Sequence, residues 1–260
     1  MIIEHIKISE NIYQMTIKNP EIARSAKPGQ FLIVVPEKNA ERIPLTVADI
    51  DGDNIIIVYM VVGKSTEKLR DTKEIYHIVG PLGQPSDIIE KTIDELKKEK
   101  FVFLAGGIGA APCYLQIKYL YDRGIKPHVI LAARDKSLLL WEEKLEKISH
   151  LHIATDNGSK GFHGLITDCL EEINKKENFT KIIAIGPMIM MKFASIKAQA
   201  LNIPITVSLN PIMLDGTGMC GSCRCKVDGV TKFACVDGPE FDGTKVDYDS
   251  LLVRLRRDWT

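Results

Sequence analysis

Four of the six cysteines in this 260-residue chain, Cys220, Cys223, Cys225 and Cys235, crowd into the segment LDGTGMCGSCRCKVDGVTKFACVDGPEFDG, with Asp215 just ahead of them. In a reducing compartment, thiols gathered this tightly hold a metal or an iron-sulfur centre more readily than they form disulfides. Asp215, Cys220, Cys223 and Cys235 are separated by four, two and eleven residues, and plant-type [2Fe-2S] loops begin with the same four-then-two gaps before a remote last ligand. Gly216, Gly218 and Gly221 lie among these positions. A loop wrapped around inorganic sulfide must bring backbone N–H groups close to sulfur, and glycine permits the dihedrals this requires.

The first ligand position of such a loop is normally a thiolate, and here it is Asp215. A carboxylate can ligate iron but is harder than a thiolate, so it changes the character of the site. Cys225 competes for the fourth place; if its stretch is extended, it shares a face with Cys223. A structural zinc knuckle on Cys220, Cys223, Cys225 and Cys235 is the third possibility, although zinc loops do not need this density of glycine.

A second constellation is the turn Gly106-Gly107-Ile108-Gly109-Ala110-Ala111-Pro112, which follows the apolar run FVFLA. Small residues between a strand and a helix let the backbone approach a pyrophosphate, while the helix N-terminus offers unpaired N–H donors. Further upstream, Arg42-Ile43-Pro44-Leu45-Thr46 and Gly63-Lys64-Ser65-Thr66 each follow β-rich runs. Arg42 has the fork that suits a phosphate and Thr46 the hydroxyl that suits a heterocycle, though a surface Arg and a strand Thr also occur with no ligand.

The elements that must carry these residues follow from periodicity. Up to about Ser86, short β-rich runs such as FLIVVP and NIIIVYMVVG alternate with turns, which predicts a small antiparallel barrel or sandwich. From Lys91 the texture changes to buried strands alternating with helices. Strands are expected at Phe101, Pro127, Leu151, Lys181 and Ile203, with helices over 91–100, 113–124, 138–148 and 166–175. That alternation indicates a doubly wound parallel sheet. The Gly- and Cys-rich loop then precedes a terminal stripe of Leu251, Leu252, Leu255 and Trp259 beside Arg254, Arg256 and Arg257. The stripe is expected to pack on its own chain or to serve as an interface. The boundaries are placed near residues 92 and 208.

Composition narrows the class of partner. Lys plus Arg equal Asp plus Glu at 34 each, so no global field favours nucleic acid or an anionic membrane. The N-terminus lacks the pattern of a signal peptide, and no apolar stretch of about 18 residues predicts a transmembrane helix. A cytoplasmic protein is the expectation.

The order R-x-P-L-T, G-K-S-T, GGIGAAP, I-G-P-M-x-M-M and D-G-x-G-x-C-G-x-C resembles the ferredoxin-reductase superfamily over essentially the whole chain. Within it, the chain is similar to the electron-transfer subunits of dihydroorotate dehydrogenase B. It is more similar to their relatives, the sulfide dehydrogenase β subunit and the small subunit of NADH-dependent reduced ferredoxin:NADP oxidoreductase. The latter share Asp at the first cluster position and the run FACVDGPEFDG, whereas the dihydroorotate dehydrogenase subunits typically have Cys where this chain has Asp215. The resemblance implies an FAD-binding β-barrel over 1–91, an NAD(P)-binding α/β domain over 92–208 and a [2Fe-2S] domain over 209–260. By the family's motifs, Arg42, Pro44, Leu45 and Thr46 meet the flavin, and Gly63, Ser65 and Thr66 its phosphates. Gly106, Gly107, Gly109, Thr155, Asp156, Gly158, Gly186, Pro187 and Met188 are implied to hold the nicotinamide dinucleotide, although Ile185 stands where relatives often have Cys. Asp215, Cys220, Cys223 and Cys235 are the implied cluster ligands.

After the second nucleotide-domain strand, Asp135 suits a ribose hydroxyl and Arg134 a 2′-phosphate, and the family leans to NAD(H). The chemistry implied is the cofactors' own, with no catalytic acid-base pair in the chain. A hydride passes from NADH to the flavin, electrons leave singly through the cluster, and a larger partner subunit completes the reaction. The readings to be separated are the bifurcating oxidoreductase subunit, the dihydroorotate dehydrogenase B subunit and a zinc-stabilised binding module.

Overall fold

The β-rich runs at the N-terminus form β1 (Ile2–Lys7), β2 (Ile12–Lys18), a short helix α1 (Pro20–Ser25), β3 (Phe31–Val35), β4 (Ile43–Thr46), β5 (Asp49–Asp51), β6 (Asn54–Met60), α2 (Lys64–Asp71) and β7 (His77–Leu82) in a computed structural model that describes residues 1–257. The strands pair antiparallel in two sheets, ordered β1-β2-β6-β5 and β4-β3-β7. Met15, Ile17, Ile55 and Ile57 of the first sheet meet Leu32, Val34 and Ile43 of the second in one core. Alternate residues point to opposite faces of a strand, so half of β3 and half of β6 are left over from that core, and apart from Asn54 both halves are apolar.

The remainder forms α3 (Ile93–Lys98), β8 (Phe101–Gly106), α4 (Ala110–Tyr121), β9 (His128–Ala133), α5 (Glu142–Ile148), β10 (His150–Thr155), β11 (Phe162–His163), α6 (Ile166–Glu177), β12 (Lys181–Ile185), α7 (Met188–Ala200), β13 (Ile205–Ser208), β14 (Arg224–Val227), β15 (Val230–Phe233), β16 (Glu240–Asp242) and α8 (Tyr248–Arg257). A seven-stranded sheet runs β11-β10-β9-β8-β12-β13-β16, all parallel except β16, which lies antiparallel to β13. The apolar residues left over from the barrel core now find partners. Val58 of β6 packs with Ile12 and Ala48 against Phe101 and Phe103 of β8. Phe31, Ile33 and Val35 of β3 pack against Met213, Cys223, Ala234 and Cys235 of the cysteine loop. Asp49 adds an ionic tie, its two carboxylate oxygens taking Lys118 Nζ at 2.7 Å and Lys144 Nζ at 3.1 Å.

The segment after Ser208 is tied closely to the parallel sheet. Its strand β16 completes that sheet, and α8 covers it, with Leu251 buried and Leu252 and Leu255 packed on the same core as Met191 and Val207. The apolar stripe thus packs on its own chain as far as Leu255, and Trp259 lies outside the described residues. The helix expected over 138–148 is shorter. Lys136–Leu138 form a single 3₁₀ turn, and α5 begins only at Glu142. Trp141 stands at its N-cap in the left-handed conformation at φ 56°. Its ring meets Tyr114 edge-on, and its Nε1 donates to Gln14 Oε1 at 3.1 Å, so a tertiary contact overrides local helix propensity. No helix among the described residues is long and apolar enough to cross a membrane.

Because β3 has two buried faces, substitutions on it separate by face. Ile33→Ala and Leu32→Ala should each destabilise the chain by about 2–5 kcal/mol. Only Ile33→Ala should also raise amide hydrogen exchange in the 213–235 loop; equal exchange there in the two variants would contradict the assignment of faces.

Candidate functional site

A cleft of about 1070 Å³ runs between the barrel and the carboxyl ends of the parallel strands. Five strand ends contribute to it: Gly106 at the end of β8, Arg134 after β9, Asp156 after β10, Gly186 after β12, and Ser208 at the end of β13. Ligands of open α/β sheets bind outside the carboxyl ends of the strands, where the strand order reverses. Here the chain passes from β8 outward to β9 and returns to the other side at β12, so Gly106 and Gly186 flank the reversal.

The glycine turn has a steric reason. Gly107 has φ +55°, and a Cβ on Gly109 would stand 2.1 Å from the Ile185 carbonyl oxygen. Only glycine lets the two strand ends approach this closely. The N-terminus of α4 then faces the cleft through Ala111 and Pro112.

On the barrel side, Pro44, Leu45, Thr46 and Thr66 line the cleft, joined by Tyr59 and Met60 of β6. The Thr66 hydroxyl oxygen also accepts from the backbone N–H groups of Val62 and Gly63 at 2.9 and 3.2 Å. Gly63 is the N-cap of α2, and the Ser65 hydroxyl donates to the Glu41 carboxylate, both beside the cleft rather than in its wall. Arg42 is half-buried and bridges elsewhere: its Nη2 donates to the Asp215 carbonyl at 3.2 Å. Its Nε is buried and has no hydrogen-bond partner among the described residues.

On the nucleotide side, Gly107, Gly109, Asp156 and Pro187 line the cleft together with Gly106 and Gly186. Thr155 is buried, and its hydroxyl closes its own loop, accepting from Lys160 N and donating to Lys160 O. Asp135 caps the 3₁₀ turn by accepting from Ser137, and Gly158 sits in the exposed turn beyond Asp156. Met188 is buried in the core beneath α7, and Ile189, Met190 and Phe193 reach the cleft in its place. Sequence reasoning missed Ser208–Pro211 and the turn at Ser9–Asn11, which also line the cleft. The first was findable, since Ser208 ends a parallel strand; the second carries no local signal.

The cysteine loop divides into an inner and an outer part. Cys223 and Cys235 are buried on β3 with their sulfurs 3.2 Å apart, and Cys235 N donates to Cys223 Sγ at 3.4 Å. Burial pushes the Cys235 thiol up to about 12, with the Cys223 hydrogen bond adding to the rise. Cys220 is exposed, 3.2 Å from the Ser222 hydroxyl, and that contact lowers its thiol below the ordinary range. The Asp215 carboxylate accepts from Thr217 N at 2.8 Å and Cys220 N at 2.7 Å; the Thr217 bond foremost holds it below the usual carboxylate range. Gly216, Gly218 and Gly221 all have positive φ, at 77°, 85° and 65°.

Among the described residues no three His, Cys, Asp or Glu side chains are drawn into a metal-holding group, so the thiol pair and the outer residues stand apart. Cys225 does not share the face of Cys223, because β14 begins only after Cys223. Cys225 is buried instead with Val227, Tyr248 and Leu251. Its thiol is 3.7 Å from the Lys232 carbonyl, and burial pushes it up to about 11.

The family model for the iron-sulfur cluster binding domain of dihydroorotate dehydrogenase B matches residues 210–247. Over 261 residues the chain is 51% identical to a Clostridium beijerinckii protein in the adh 3' region, covering 97% of this chain and 88% of that one. Over 259 residues it is 42% identical to a Thermotoga maritima homolog of the dihydroorotate dehydrogenase B (NAD(+)) electron transfer subunit, covering 98% and 89%. A solved chain from work on flavin-based electron bifurcation by the NADH-dependent reduced ferredoxin-NADP oxidoreductase superposes with a TM-score of 0.88. It is 41% identical, and the match covers 98% of this chain and 92% of that one. On these likenesses, which run nearly end to end, the chain belongs to the family of dihydroorotate dehydrogenase B electron-transfer subunits and their homologues.

Proposed function

We propose that this chain moves electrons between NAD(H), an FAD in the cleft and a [2Fe-2S] cluster in the 215–235 loop, as the small subunit of a larger oxidoreductase. The observation that carries the reading is Arg42. It directly precedes β4, whose Pro44, Leu45 and Thr46 line the cleft, it bonds the Asp215 carbonyl in the cysteine loop, and its buried Nε lacks a partner among the described residues. A buried guanidinium N–H without an acceptor is costly, and a phosphate oxygen would satisfy it.

The residues present fit the groups. Gly106, Gly107 and Gly109 line the cleft with no side chain of their own, beside the N-terminus of a twelve-residue helix, which suits a pyrophosphate. Three thiols, a carboxylate and positive-φ glycines suit an iron-sulfur loop. When bound, FAD supplies the conversion of a two-electron hydride donor to single electrons, and the cluster supplies one-electron transfer. The chain's own part is to hold and orient. Pro44, Leu45, Thr46 and Thr66 would face the flavin. The Gly106–Gly109 turn, Asp156, Gly186 and Pro187 would face the nicotinamide dinucleotide, with Thr155, Asp135, Gly158 and Met188 supporting that wall from behind or beside it. Asp215, Cys220, Cys223 and Cys235 would hold the cluster, since Cys225 points into another core.

A partner related to that of the bifurcating ferredoxin-NADP oxidoreductase is favoured by Asp215, because dihydroorotate dehydrogenase subunits typically have Cys there. Co-purification of the native complex identifies the partner, and a cytoplasmic location goes with this reading.

Protein purified without oxygen should show flavin and iron-sulfur absorption; a colourless zinc protein would overturn the proposal. Arg42→Ala should weaken FAD retention roughly tenfold to a hundredfold, as expected for one charge-assisted hydrogen bond, and full flavin occupancy after long dialysis would refute the Arg42 assignment. Asp215→Cys should still assemble a cluster with a changed reduction potential and EPR signal, whereas Asp215→Ala should make it labile and Cys225→Ser should change little. The ligand set is wrong if Cys225→Ser abolishes the EPR signal while Asp215→Ala leaves signal and iron content intact.

A further inference from the structure

Behind the cleft wall, three parts of the chain meet around one carboxyl group. Glu240 opens β16, directly after Pro239, which lines the cleft, and five residues after Cys235. Its Oε1 accepts a 2.6 Å hydrogen bond from Gln116 Nε2 on α4. Gln116 Oε1 accepts in turn from the Ser86 hydroxyl at 3.2 Å, in the segment that leaves the barrel after β7. Ser86 and Gln116 are wholly buried. One hydrogen-bonded chain therefore joins the barrel, the nucleotide domain and the segment that follows the cysteine loop.

The chain is incomplete in one respect. Glu240 Oε2 is buried with no partner among the described residues, and so is Asp87 Oδ1. A buried carboxylate with an unsatisfied oxygen favours its neutral form. The charged and titratable groups facing Glu240 are Asp87, beside Ser86, Lys181 on β12 and the buried Cys113 thiol on α4. Burial is the main cause that lifts the Glu240 carboxyl from 4.5 to about 7; the nearby Ser86 hydroxyl opposes the rise, Asp87 adds to it, and the Gln116 hydrogen bond and the Lys181 charge oppose it. Asp87, next in the chain to Ser86, is partly open to water: its Oδ2 lies 3.4 Å from Lys181 Nζ, and its side chain is 45% exposed, while Oδ1 is buried. Nothing in the proposed electron path uses either carboxylate.

We propose that Glu240 is a charge-compensating proton site, taking up a solvent proton by way of Asp87 when an electron comes to rest on the cysteine-loop side of the chain and releasing it when the electron leaves. The proposal rests on the reading that the 215–235 loop holds the cluster. Its balance is simple: one carboxylate and one solvent proton give one carboxylic acid, and the electron comes from the nicotinamide donor. An added negative charge nearby strengthens proton binding at a poorly solvated carboxylate. By reciprocity the bound proton makes the electron easier to accept. A purely structural hydrogen-bonded joint would leave the midpoint potential independent of whether Glu240 carries its proton.

The test is Glu240→Gln, which keeps an oxygen for Gln116 and removes the titration. In the loaded full chain, the EPR-monitored midpoint potential of the native protein should fall as pH rises within pH 6–9, with a limiting slope near 59 mV per unit, and should be flat in Glu240→Gln. The same profile in both proteins, or a flat native profile, overturns the proposal. Asp87→Asn guards against a Glu240→Gln chain that fails to fold: removing the neighbouring charge should move the native inflection to lower pH, and an unmoved inflection also counts against it. Thermal unfolding gives a second readout. The folded carboxyl binds its proton more tightly than the unfolded one, so its contribution is complete below about pH 4.5 and declines as pH rises towards 7. Glu240→Gln should lack that decline, and an identical decline in both proteins would place the proton elsewhere. If the anaerobically purified chain carries neither flavin nor iron, the proposed function itself fails and the redox coupling with it. A loaded chain with unchanged profiles sinks only the role of Glu240.

Discussion

Burial of β3 on both faces is the constraint from which the rest of the arrangement follows. Leu32 and Val34 belong to the barrel core, and Phe31, Ile33 and Val35 to the packing of the cysteine loop. Each of these side chains contributes about 1.5–3 kcal/mol on burial, so the loop that bears Cys223 and Cys235 is held by hydrophobic packing on the back of the barrel. The strand therefore serves as a shared wall, and the distance between barrel and cysteine loop is set by the thickness of one strand and its side chains. The same logic operates at β6, whose Val58 faces Phe101 and Phe103 while Ile55 and Ile57 face the barrel. Two largely apolar strands thus tie the antiparallel sheets to the parallel sheet on one side and to the cysteine loop on the other.

Polar contacts add direction to this apolar frame. Asp49 takes Lys118 from α4 and Lys144 from α5, so the barrel is pinned to the helix that begins at the glycine turn. Arg42, directly before the cleft-lining strand β4, reaches the Asp215 carbonyl. Each of these contacts links the antiparallel sheets to another part of the chain. Electron transfer needs fixed spacing between cofactors more than it needs moving parts, and a frame with its apolar walls shared and its ionic ties at the seams suits that need.

The sequence made the fold legible where a pattern was local. The strand and helix alternation after Lys91, the glycine turn and the cysteine spacing were readable because each is a short-range requirement of backbone or ligand chemistry. The runs FLIVV and NIIIVYM carried more than was read from them: an antiparallel strand with one wet face alternates, and these two do not, so a second covering on each was already implied. Other features were beyond local reading. The left-handed Trp141 that delays α5 depends on Tyr114 and Gln14, distant in sequence, and nothing in EFDG by itself announces an edge strand against β13. Met188 and Thr155 matched family motifs by position, yet whether a side chain faces the cleft or the core depends on the helix phase and loop closure that only the packed structure fixes.

Asp215 shows why a carboxylate can stand where a thiolate is usual. A thiol accepts hydrogen bonds weakly, whereas a carboxylate has two oxygens and about four lone-pair sites. Here each oxygen takes one backbone N–H, from Thr217 and from Cys220, and these bonds close the outer half of the loop around the positive-φ glycines. The inner half needs no such help, because Cys223 and Cys235 are fixed by burial against β3. On the proposed reading, the carboxylate keeps lone pairs for iron after making both bonds, so one side chain shapes the turn and remains available as a ligand. A cysteine in its place would bind iron more softly and offer Thr217 N and Cys220 N one weak sulfur acceptor in place of two oxygens. Its loop would then depend more on the bound cluster for its shape, whereas the loop with Asp215 is already folded back upon itself by its own backbone.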